Sequence, residues 1–483
     1  MHAIPLAALA AALLPLPAPH QQAPEPDAAI VAYLEDRFAA TGVPGAAYAV
    51  VDLDGGSRTY AWGEDGDGDP VDAGTAFLWG SVAKPVTATA AMTLVEDGRL
   101  DLDAPVTDYL PDFTLAGGAN GITTRDLLEQ TSGIPEGTGI TDRFDHREDP
   151  FGDAVADLAG VEPLAEAGEA FEYASANYVV VGAVVEAASG MPYEEYLRAA
   201  VLEPLGMDGA VATEEAAESL PDGHTAAFGQ AVPVPAYYDQ TGPSYGYLGG
   251  TVTDLQRFAE AHLGNGMISP ESLALMHTGA AEVNDTIDYG LGWRVDARNA
   301  DLGTGTVWHT GAAPGFAAGV ILLPEHGKAL VVAQNRYAHF EGDALIGTML
   351  GAARLLAGGE PDPIETGPLY PALLIGLGVL VLAALAAVVL TLARIRRDRK
   401  PLRRKWTGAA GIAAWWALAA LVAYTAWDLV PGLAPSATLF RLFAPDIAWL
   451  LTALAVAALL LAAARTWKTL LRREKTTARE SAA

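Results

Sequence analysis

Only two lysines occur in the first 367 residues, against 12 arginines, and one of them follows a serine at helical spacing. Ser81 precedes Lys84 by three positions within the segment Phe-Leu-Trp-Gly-Ser-Val-Ala-Lys-Pro. At the start of a helix this spacing puts the two side chains on one face. An amine can lose its proton, whereas a guanidinium cannot, so a desolvated Lys84 could activate the Ser81 hydroxyl as a nucleophile. The same pattern also fits an N-cap serine followed by a lysine whose amine extends to solvent.

The chain between about residues 26 and 360 has strand patterns near both ends and helix patterns between them. The expected strands are 45–52, 59–62, 290–295, 306–309, 317–323 and 329–334. The expected helices are 27–40, 81–96, 123–131, 178–189, 192–202 and 342–356. This order predicts one α/β (α+β) body in which both chain ends contribute to the sheet and helices are inserted between them. The second lysine, Lys328, falls in an expected hairpin turn and is interpreted as a solvated turn residue.

The tail from 361 to 483 contains long uncharged apolar runs, each of a length that crosses a bilayer. The expected spans are about 368–392, 407–427 and 447–464. Eight Lys/Arg lie within 394–405 and five more within 465–475, which places this loop and the C-terminus in the cytoplasm and the large body outside the cell. The connection 429–445 is expected to be an external loop with a short interfacial helix.

Residues 1–25 have a short apolar core followed by a Pro- and Gln-rich stretch, which we interpret as a signal peptide and linker that lacks the usual basic start. Export by such a signal agrees with the orientation of the tail. The protein is therefore expected to be a multi-pass cell-membrane protein with its large domain, residues 26–360, outside the cell.

The net charge of −30 is distributed unevenly along the chain. Residues 1–367 hold 14 Lys+Arg against 54 Asp+Glu, whereas the remainder holds 15 against 5. A strongly acidic exterior argues against nucleic-acid binding. The absence of cysteine excludes disulfides, thiolate metal sites and cysteine nucleophiles. The nine histidines show no ligand spacing, so neither a metal nor another cofactor is expected.

Several ordered segments resemble the serine β-lactamase and penicillin-binding-protein superfamily, specifically the class C β-lactamase-related serine hydrolases. The matching segments, spread over about residues 28–355, are 77–85, 94–103, 109–111, 122–128, 131–134, 171–178, 204–207, 249–255, 289–293 and 309–316. The resemblance does not extend to the tail. It implies a β-lactamase/transpeptidase-like fold, with an antiparallel sheet flanked by helices and a helical subdomain, here followed by a three-helix transmembrane tail.

The resemblance also implies catalytic roles for particular residues. Ser81 would be the nucleophile, Lys84 its partner, and Tyr173, the tyrosine of the second motif, would share the general-base work. A plainer interpretation makes Tyr173 a core aromatic at a helix start. The backbone N–H groups of Ser81 and Ala312 would form an oxyanion hole.

Two positions depart from the family pattern. The second motif commonly ends in Asn, but here it ends in Ser175, with Asn177 as a possible substitute; both are candidate substrate-binding residues. The third motif commonly begins with Lys in true β-lactamases, and here it is His309, followed by Thr310 and Gly311 as further candidate contacts. A neutral imidazole binds a carboxylate less firmly than an ammonium.

The tripeptide His-Thr-Gly also occurs at 277–279, after an apparent helix, where Gly279 is interpreted as the helix cap. We assign the catalytic copy to His309, because it follows an apparent strand.

These residues predict a membrane-anchored extracellular serine hydrolase that forms an acyl-enzyme on Ser81. The expected substrates are small molecules or peptides, namely esters, amides and D-amino-acid or cell-wall peptides. A D,D-carboxypeptidase or transpeptidase, or a β-lactamase, is the alternative among enzymes. A sensor of wall fragments or β-lactams that acylates without turnover is the alternative from another class. The sequence names no protein partner.

Overall fold

The structure is a computed structural model that describes residues 27–118, 121–264, 266–364, 367–397, 405–434 and 436–480. The expected signal peptide lies outside the described residues. The strands are β1 (Gly45–Asp52), β2 (Arg58–Gly63), β3 (Ala76–Leu78), β4 (Gly223–Ala227), β5 (Gln230–Val234), β6 (Gly249–Thr251), β7 (Ala281–Asn284), β8 (Ile287–Tyr289), β9 (Arg294–Asp296), β10 (Thr306–Ala313), β11 (Phe316–Leu323) and β12 (Lys328–Gln334).

Helices fill the middle of the chain and its C-terminal part. They are α1 (Ala28–Thr41), α2 (Ala83–Glu96), α3 (Thr124–Leu128), α4 (Pro150–Asp157), α5 (Ser175–Ser189), α6 (Tyr193–Leu197), α7 (Glu203–Leu205), α8 (Glu214–Ala217), α9 (Val252–His262), α10 (Pro270–Met276), α11 (Gly342–Leu356), α12 (Leu369–Arg397), α13 (Lys405–Tyr424), α14 (Ala437–Phe443) and α15 (Pro445–Glu480).

Eight strands form one antiparallel sheet in the order β2-β1-β12-β11-β10-β9-β8-β7. Both faces are buried, as β1, the strand next to the edge strand β2, shows. Tyr48 and Val50 point into a core shared with α1 and α11, whereas Ala47, Ala49 and Val51 point into the larger core around α2, α5 and α9. This alternation of period 2 between two apolar faces explains why the strand is almost continuously apolar. The expected fold class is confirmed, with a sheet made from both chain ends and helices inserted between them.

Two of the expected elements are wrong in extent. The expected strand 290–295 is interrupted, because Gly290–Trp293 forms a turn closed by the Gly290 N–H on the Trp293 carbonyl at 2.8 Å, with Gly292 at φ +85°. The expected helix 123–131 ends at Leu128, because Gln130 adopts a left-handed backbone at φ +63°. Both irregular segments lie beside the candidate site.

Among the described residues of the tail, three helices are long and apolar enough to cross a membrane, Leu369–Ile395, Gly408–Leu433 and Pro445–Leu471, with mean hydropathies of 3.0, 1.6 and 2.5. Each overlaps one expected span; the starts differ by at most two residues, whereas the ends lie three to seven residues further along the chain. Between the second and third lies the short helix α14, as expected for the connection 429–445.

Candidate active site

Ser81 lies in a tight turn between the two-stranded sheet β3–β6 and helix α2. The pairing of Leu78 with Gly249 fixes the approach to this turn, and the Trp79 N–H donates to the Leu248 carbonyl at 2.9 Å. One 3₁₀ turn, Gly80–Val82, then leads into α2. The nucleophile candidate is therefore fixed from both sides by buried backbone hydrogen bonds.

Lys84 is fully buried and contacts three oxygen atoms. Its Nζ lies 3.0 Å from Ser81 Oγ, 3.2 Å from Ser175 Oγ and 2.9 Å from the Tyr245 carbonyl oxygen. The carboxylate of Glu136 accepts the backbone N–H of Ser175 at 2.8 Å; burial raises the pKa of Glu136, an effect that the Lys84 charge opposes. A lysine this deep is not a solvated surface residue, and its neighbours include the serine predicted from the sequence.

Tyr173 is held beside Lys84 by its neighbours on the chain. The side-chain oxygen of the buried Gln130 accepts the Ala174 N–H at 3.0 Å, and the Gln130 carbonyl accepts the Glu172 N–H at 2.8 Å. Lys84 Nζ lies 5.0 Å from the centroid of the Tyr173 ring. The left-handed residue Gln130 thus positions the second motif against the first.

Ser175 and Asn177, both predicted to bind substrate, lie in different environments. Ser175 is partly exposed and directs its hydroxyl at Lys84. Asn177 is fully buried; its amide nitrogen donates to Gln130 at 2.6 Å, and its amide oxygen accepts from Ser132. The structure therefore places Asn177 in the interior that supports the second motif and outside the cavity that Ser81 lines.

The third motif lies on β10, whose backbone runs against the Ser81 turn. A Cβ atom placed on Gly311 would overlap the Trp79 carbonyl and the Ser81 nitrogen, and one placed on Gly80 would overlap the Ala312 nitrogen. Gly80 also has φ +56°, which favours glycine. The backbone nitrogens of Ser81 and Ala312, the predicted oxyanion-hole donors, are thus brought to the same place.

His309 is buried in this strand with both ring nitrogens in hydrogen bonds. Nδ1 lies 2.8 Å from the Thr310 carbonyl, which can only accept, so Nδ1 carries the proton. Nε2 must then accept from the Tyr289 hydroxyl at 3.1 Å. Burial, together with the charges of Arg294 and Lys84, lowers the pKa of His309 well below its usual range, so the ring is neutral. Burial also raises the pKa of Tyr289, which stays protonated as this donor.

Arg294 is a cation in the site that the sequence patterns did not indicate. It pairs with Trp308 in the sheet, and its guanidinium lies 5.5 Å from the Tyr173 ring centroid and 5.8 Å from that of Tyr289. Among the described residues, no carboxylate lies within 4.0 Å of it. Its place directly after the Tyr-Gly-Leu-Gly-Trp segment is the signal that could have identified it.

Seven of these site residues line one cavity of about 240 Å³. Ser81, Tyr173, Arg294 and His309 lie on one part of its wall, as do Thr310, Gly311 and Ala312. The rest of the wall is mostly apolar and includes Tyr337, Leu345, Ile346 and Met349. A larger surface cavity beside β7–β9, of about 940 Å³, contains none of the predicted catalytic residues. Within the described ranges, no cluster of three or more metal-binding side chains occurs.

Comparisons with known proteins show relatives of the part of the chain that precedes the tail. Residues 30–351 match the beta-lactamase family, a match that ends before the tail. The chain is 32% identical over 372 residues to penicillin-binding protein 4 of Amycolatopsis lactamdurans, covering 70% of this chain and 96% of that protein. It is 34% identical over 244 residues to esterase EstB of Burkholderia gladioli, covering 43% of this chain and 62% of that protein.

A solved structure shares the same fold. The D-stereospecific amidohydrolase from Streptomyces sp. superposes with a TM-score of 0.55 at 25% identity, covering 65% of this chain and 95% of that one. The family match extends over more than half of the chain, and the relatives are named as hydrolytic and penicillin-binding proteins. This chain therefore belongs to the beta-lactamase family and is a serine hydrolase.

Proposed function

We propose that this protein is a membrane-anchored extracellular hydrolase that forms an acyl-enzyme on Ser81. The main observation is the fully buried Lys84, with Nζ 3.0 Å from Ser81 Oγ. An ammonium has three hydrogens, and its three oxygen partners match them. A neutral amine would keep donors for Ser175 and the Tyr245 carbonyl and would accept the Ser81 proton on its lone pair. The surroundings of Lys84 thus suit both states of a proton acceptor.

Tyr173 is proposed to work with Lys84 in moving the proton. The Lys84 amine lies 5.0 Å and the Arg294 guanidinium 5.5 Å from its ring centroid, so two positive charges lie close to the ring. As Ser81 attacks an acyl carbonyl, its proton passes to this pair and then to the leaving group. The negative charge that develops on the carbonyl oxygen is stabilised by the N–H groups of Ser81 and Ala312. Water then attacks the Ser81 ester by the same route in reverse.

His309 is proposed to act in this site as a positioning residue. Its neutral ring donates to the Thr310 carbonyl and accepts from Tyr289, so it fixes the strand that carries Ala312 against Ser81. Asn177 has a comparable supporting role behind Tyr173, through Gln130. Ser175, Thr310 and Gly311 remain the proposed substrate contacts.

Arg294 favours substrates that carry a carboxylate near the scissile bond. The sequence indicated weak carboxylate binding, because His309 stands where true β-lactamases have lysine. Arg294 supplies a fixed positive charge in the same cavity with no acidic partner within 4.0 Å among the described residues. The names of the relatives, an esterase, a penicillin-binding protein and a D-stereospecific amidohydrolase, support esters, amides and D-amino-acid peptides as candidates. D,D-carboxypeptidase, transpeptidase or β-lactamase activity remains the alternative within this chemistry.

The proposed anchor is the three-helix tail after residue 361. The first apolar helix starts next to the catalytic body, and the connection between the second and third contacts that same body. The Phe443 ring packs on Tyr337 at 5.0 Å between centroids, and Asp446 accepts the Phe228 N–H at 2.9 Å. Both ends therefore lie on one side of the membrane. Together with the positive-inside bias, this supports an extracellular body, residues 26–360, and a cytoplasmic C-terminus.

Labelling with a fluorophosphonate probe tests the nucleophile directly. The full chain would be labelled as wild type, Ser81→Ala, Lys84→Arg and Lys328→Arg. Ser81→Ala should abolish labelling. Lys84→Arg should slow it at least about 100-fold, because the charge stays but the proton acceptor is lost. Lys328→Arg is the matched control, since the other lysine of the body lies 3.9 Å from Asp52 in a hairpin and should tolerate the change.

Turnover of a neutral ester and of a D-amino-acid dipeptide, measured on the same proteins, separates the functions. Repeated turnover supports a hydrolase, and a higher kcat/KM for the peptide supports the role of Arg294. Stable acylation after one equivalent supports a sensor. If folded wild type, checked by circular dichroism, is not labelled or Ser81→Ala is labelled equally, the proposal fails.

A further inference from the structure

Another cavity, of about 280 Å³, lies at the joint between the catalytic body and the tail and is called the joint cavity. Eight of its nine lining residues are apolar, and the ninth is His339. Phe340 comes from the body, Leu433 from the end of the second apolar helix, and Phe440 and Phe443 from α14. An apolar cavity of this kind offers hydrocarbon a place away from water.

The position of this joint cavity indicates the origin of its ligand. Leu433 is the last residue of the second membrane-crossing segment and is 80% exposed, and Leu429, one turn earlier, is 47% exposed. In the proposed topology these residues lie at the outer surface of the bilayer. The cavity is therefore next to lipid, and the chemistry available to it is a hydrocarbon chain.

The joint cavity and the active-site cavity are separated by one aromatic pair. Tyr337 lines the active-site cavity and packs edge-on against Phe443, which lines the joint cavity, with 5.0 Å between ring centroids. Leu345, Ile346 and Met349 continue the apolar wall on the active-site side. An apolar surface thus runs from the vicinity of Ser81 to the proposed membrane surface.

Specific contacts hold the tail in this position against the body. Phe340 stacks on Tyr370 at the start of the first apolar helix, with centroids 5.3 Å apart. The fully buried carboxylate of Asp446 accepts hydrogen bonds from the Phe228 N–H and from the Tyr370 hydroxyl. A simple tether would not need a buried acidic residue bonded to both parts. The tail therefore supplies one wall of a defined binding region.

We propose that the joint cavity binds the hydrocarbon chain of the enzyme's own substrate, an amphiphilic ester or amide drawn from the outer leaflet. This inference rests on the proposed hydrolase function and topology. The polar, scissile end would lie at Ser81, and the chain would lie along Tyr337 and Phe443. Each methylene buried there raises kcat/KM about fourfold until the cavity is filled.

A chain-length series on the full-length protein in lipid nanodiscs tests the inference. We would measure kcat/KM for 4-nitrophenyl esters from acetyl to dodecanoyl with wild type, Leu433→Asn and Ala434→Phe. Leu433→Asn makes the rim polar, and Ala434→Phe fills the cavity. Both should lower the dodecanoyl-to-acetyl ratio at least about tenfold, because at about fourfold per methylene the loss of two buried methylenes already exceeds that factor. Leu429→Asn is the matched control, because Leu429 is also exposed on the same apolar segment but does not line the cavity, and it should keep the wild-type ratio.

The acetyl ester separates failure of the inference from failure of the proposed function. If wild type does not hydrolyse acetyl ester, or Ser81→Ala does so equally well, the hydrolase proposal itself fails. If acetyl hydrolysis is normal but the ratio is the same in wild type, Leu433→Asn and Ala434→Phe, the cavity does not hold the substrate chain. The inference is then wrong, and an annular lipid is the remaining occupant.

Discussion

The tripeptide His-Thr-Gly occurs twice in this chain, and its two copies have opposite relations to the catalytic serine. At 309–311 it lies within strand β10, and a Cβ on Gly311 would overlap the Ser81 nitrogen. At 277–279 it follows helix α10, and a Cβ on Gly279 would instead meet the exposed Asp288. The residue types are identical, so the chemistry comes from the element that carries them.

The two histidines also differ in what they hold in place. His309 bonds to Tyr289 and to its own strand, inside the active-site wall. His277 bonds to His262 at 3.1 Å, and His262 bonds to Thr89 of α2 at 3.0 Å. Both rings are kept neutral by burial, which lowers their pKa values. A buried neutral histidine is therefore not by itself a sign of catalysis; its position relative to Ser81 distinguishes the two.

The largest expected difference comes from the two glycines. Gly311→Ala should lower kcat/KM at least about 100-fold, because the added methyl group pushes β10 and the Ala312 N–H away from the Ser81 turn. Gly279→Ala should destabilise the fold, because the added Cβ would lie 2.4 Å from the Cβ of Asp288, but it should lower kcat/KM much less, since this overlap lies outside the active-site cavity.

Ester hydrolysis and thermal unfolding of both glycine variants would be measured together. A Gly311→Ala protein that unfolds at the wild-type temperature but is inactive supports the close approach of the two backbones. Equal activity of the two variants would contradict the proposed oxyanion hole.

A smaller difference is expected between the two histidines. His309→Asn should lower kcat about tenfold on neutral and anionic substrates alike, because the neutral ring positions β10 and does not bind a substrate carboxylate by charge. His277→Asn should leave kcat within about twofold and reduce the free energy of unfolding by roughly 1–3 kcal/mol, through the lost buried hydrogen bond. Steady-state kinetics with both substrate types checks this. A rise in KM confined to anionic substrates in His309→Asn would indicate a cationic His309 instead.

The sequence predicted those parts of the site that depend on local spacing. Ser81 and Lys84 are one helical turn apart, so their 3.0 Å contact follows from the start of α2. His309 was chosen over His277 because the sequence predicts a strand before His309 and a helix before His277. The strands β1, β11 and β12 also lie within one residue of the expected strands 45–52, 317–323 and 329–334.

The sequence did not predict the parts that depend on irregular backbone or on distant pairing. Arg294 enters the cavity because a turn at Gly290–Trp293 sets the start of β9, where a continuous strand was expected. Gln130 supports Tyr173 only because its backbone is left-handed, a conformation that its residue type does not favour. Asn177 was placed in the cavity by its distance along the chain, whereas the helical turn of α5 points it into the core.

The smallest expected effect is a pH dependence of stability from the His262–His277 pair. Burial lowers the pKa of His277 to about 4 and that of His262 well below its usual range, whereas both take up protons near pH 6.5 when unfolded. The unfolded state therefore binds more protons between pH 6.5 and about 4, so the stability contributed by the neutral pair is complete above pH 6.5 and is lost as the pH falls through that range.

Over this pH range the midpoint temperature of thermal unfolding should fall by roughly 1–3 °C less in His277→Asn than in wild type. Carboxylate effects are common to both proteins and cancel in this comparison. The exposed His146 is the matched control, and His146→Asn should keep the wild-type slope. If the unfolding midpoint depends on pH identically in wild type and His277→Asn, the pair is not neutral when folded. His277 and His309 would then be distinguished only by their positions relative to Ser81.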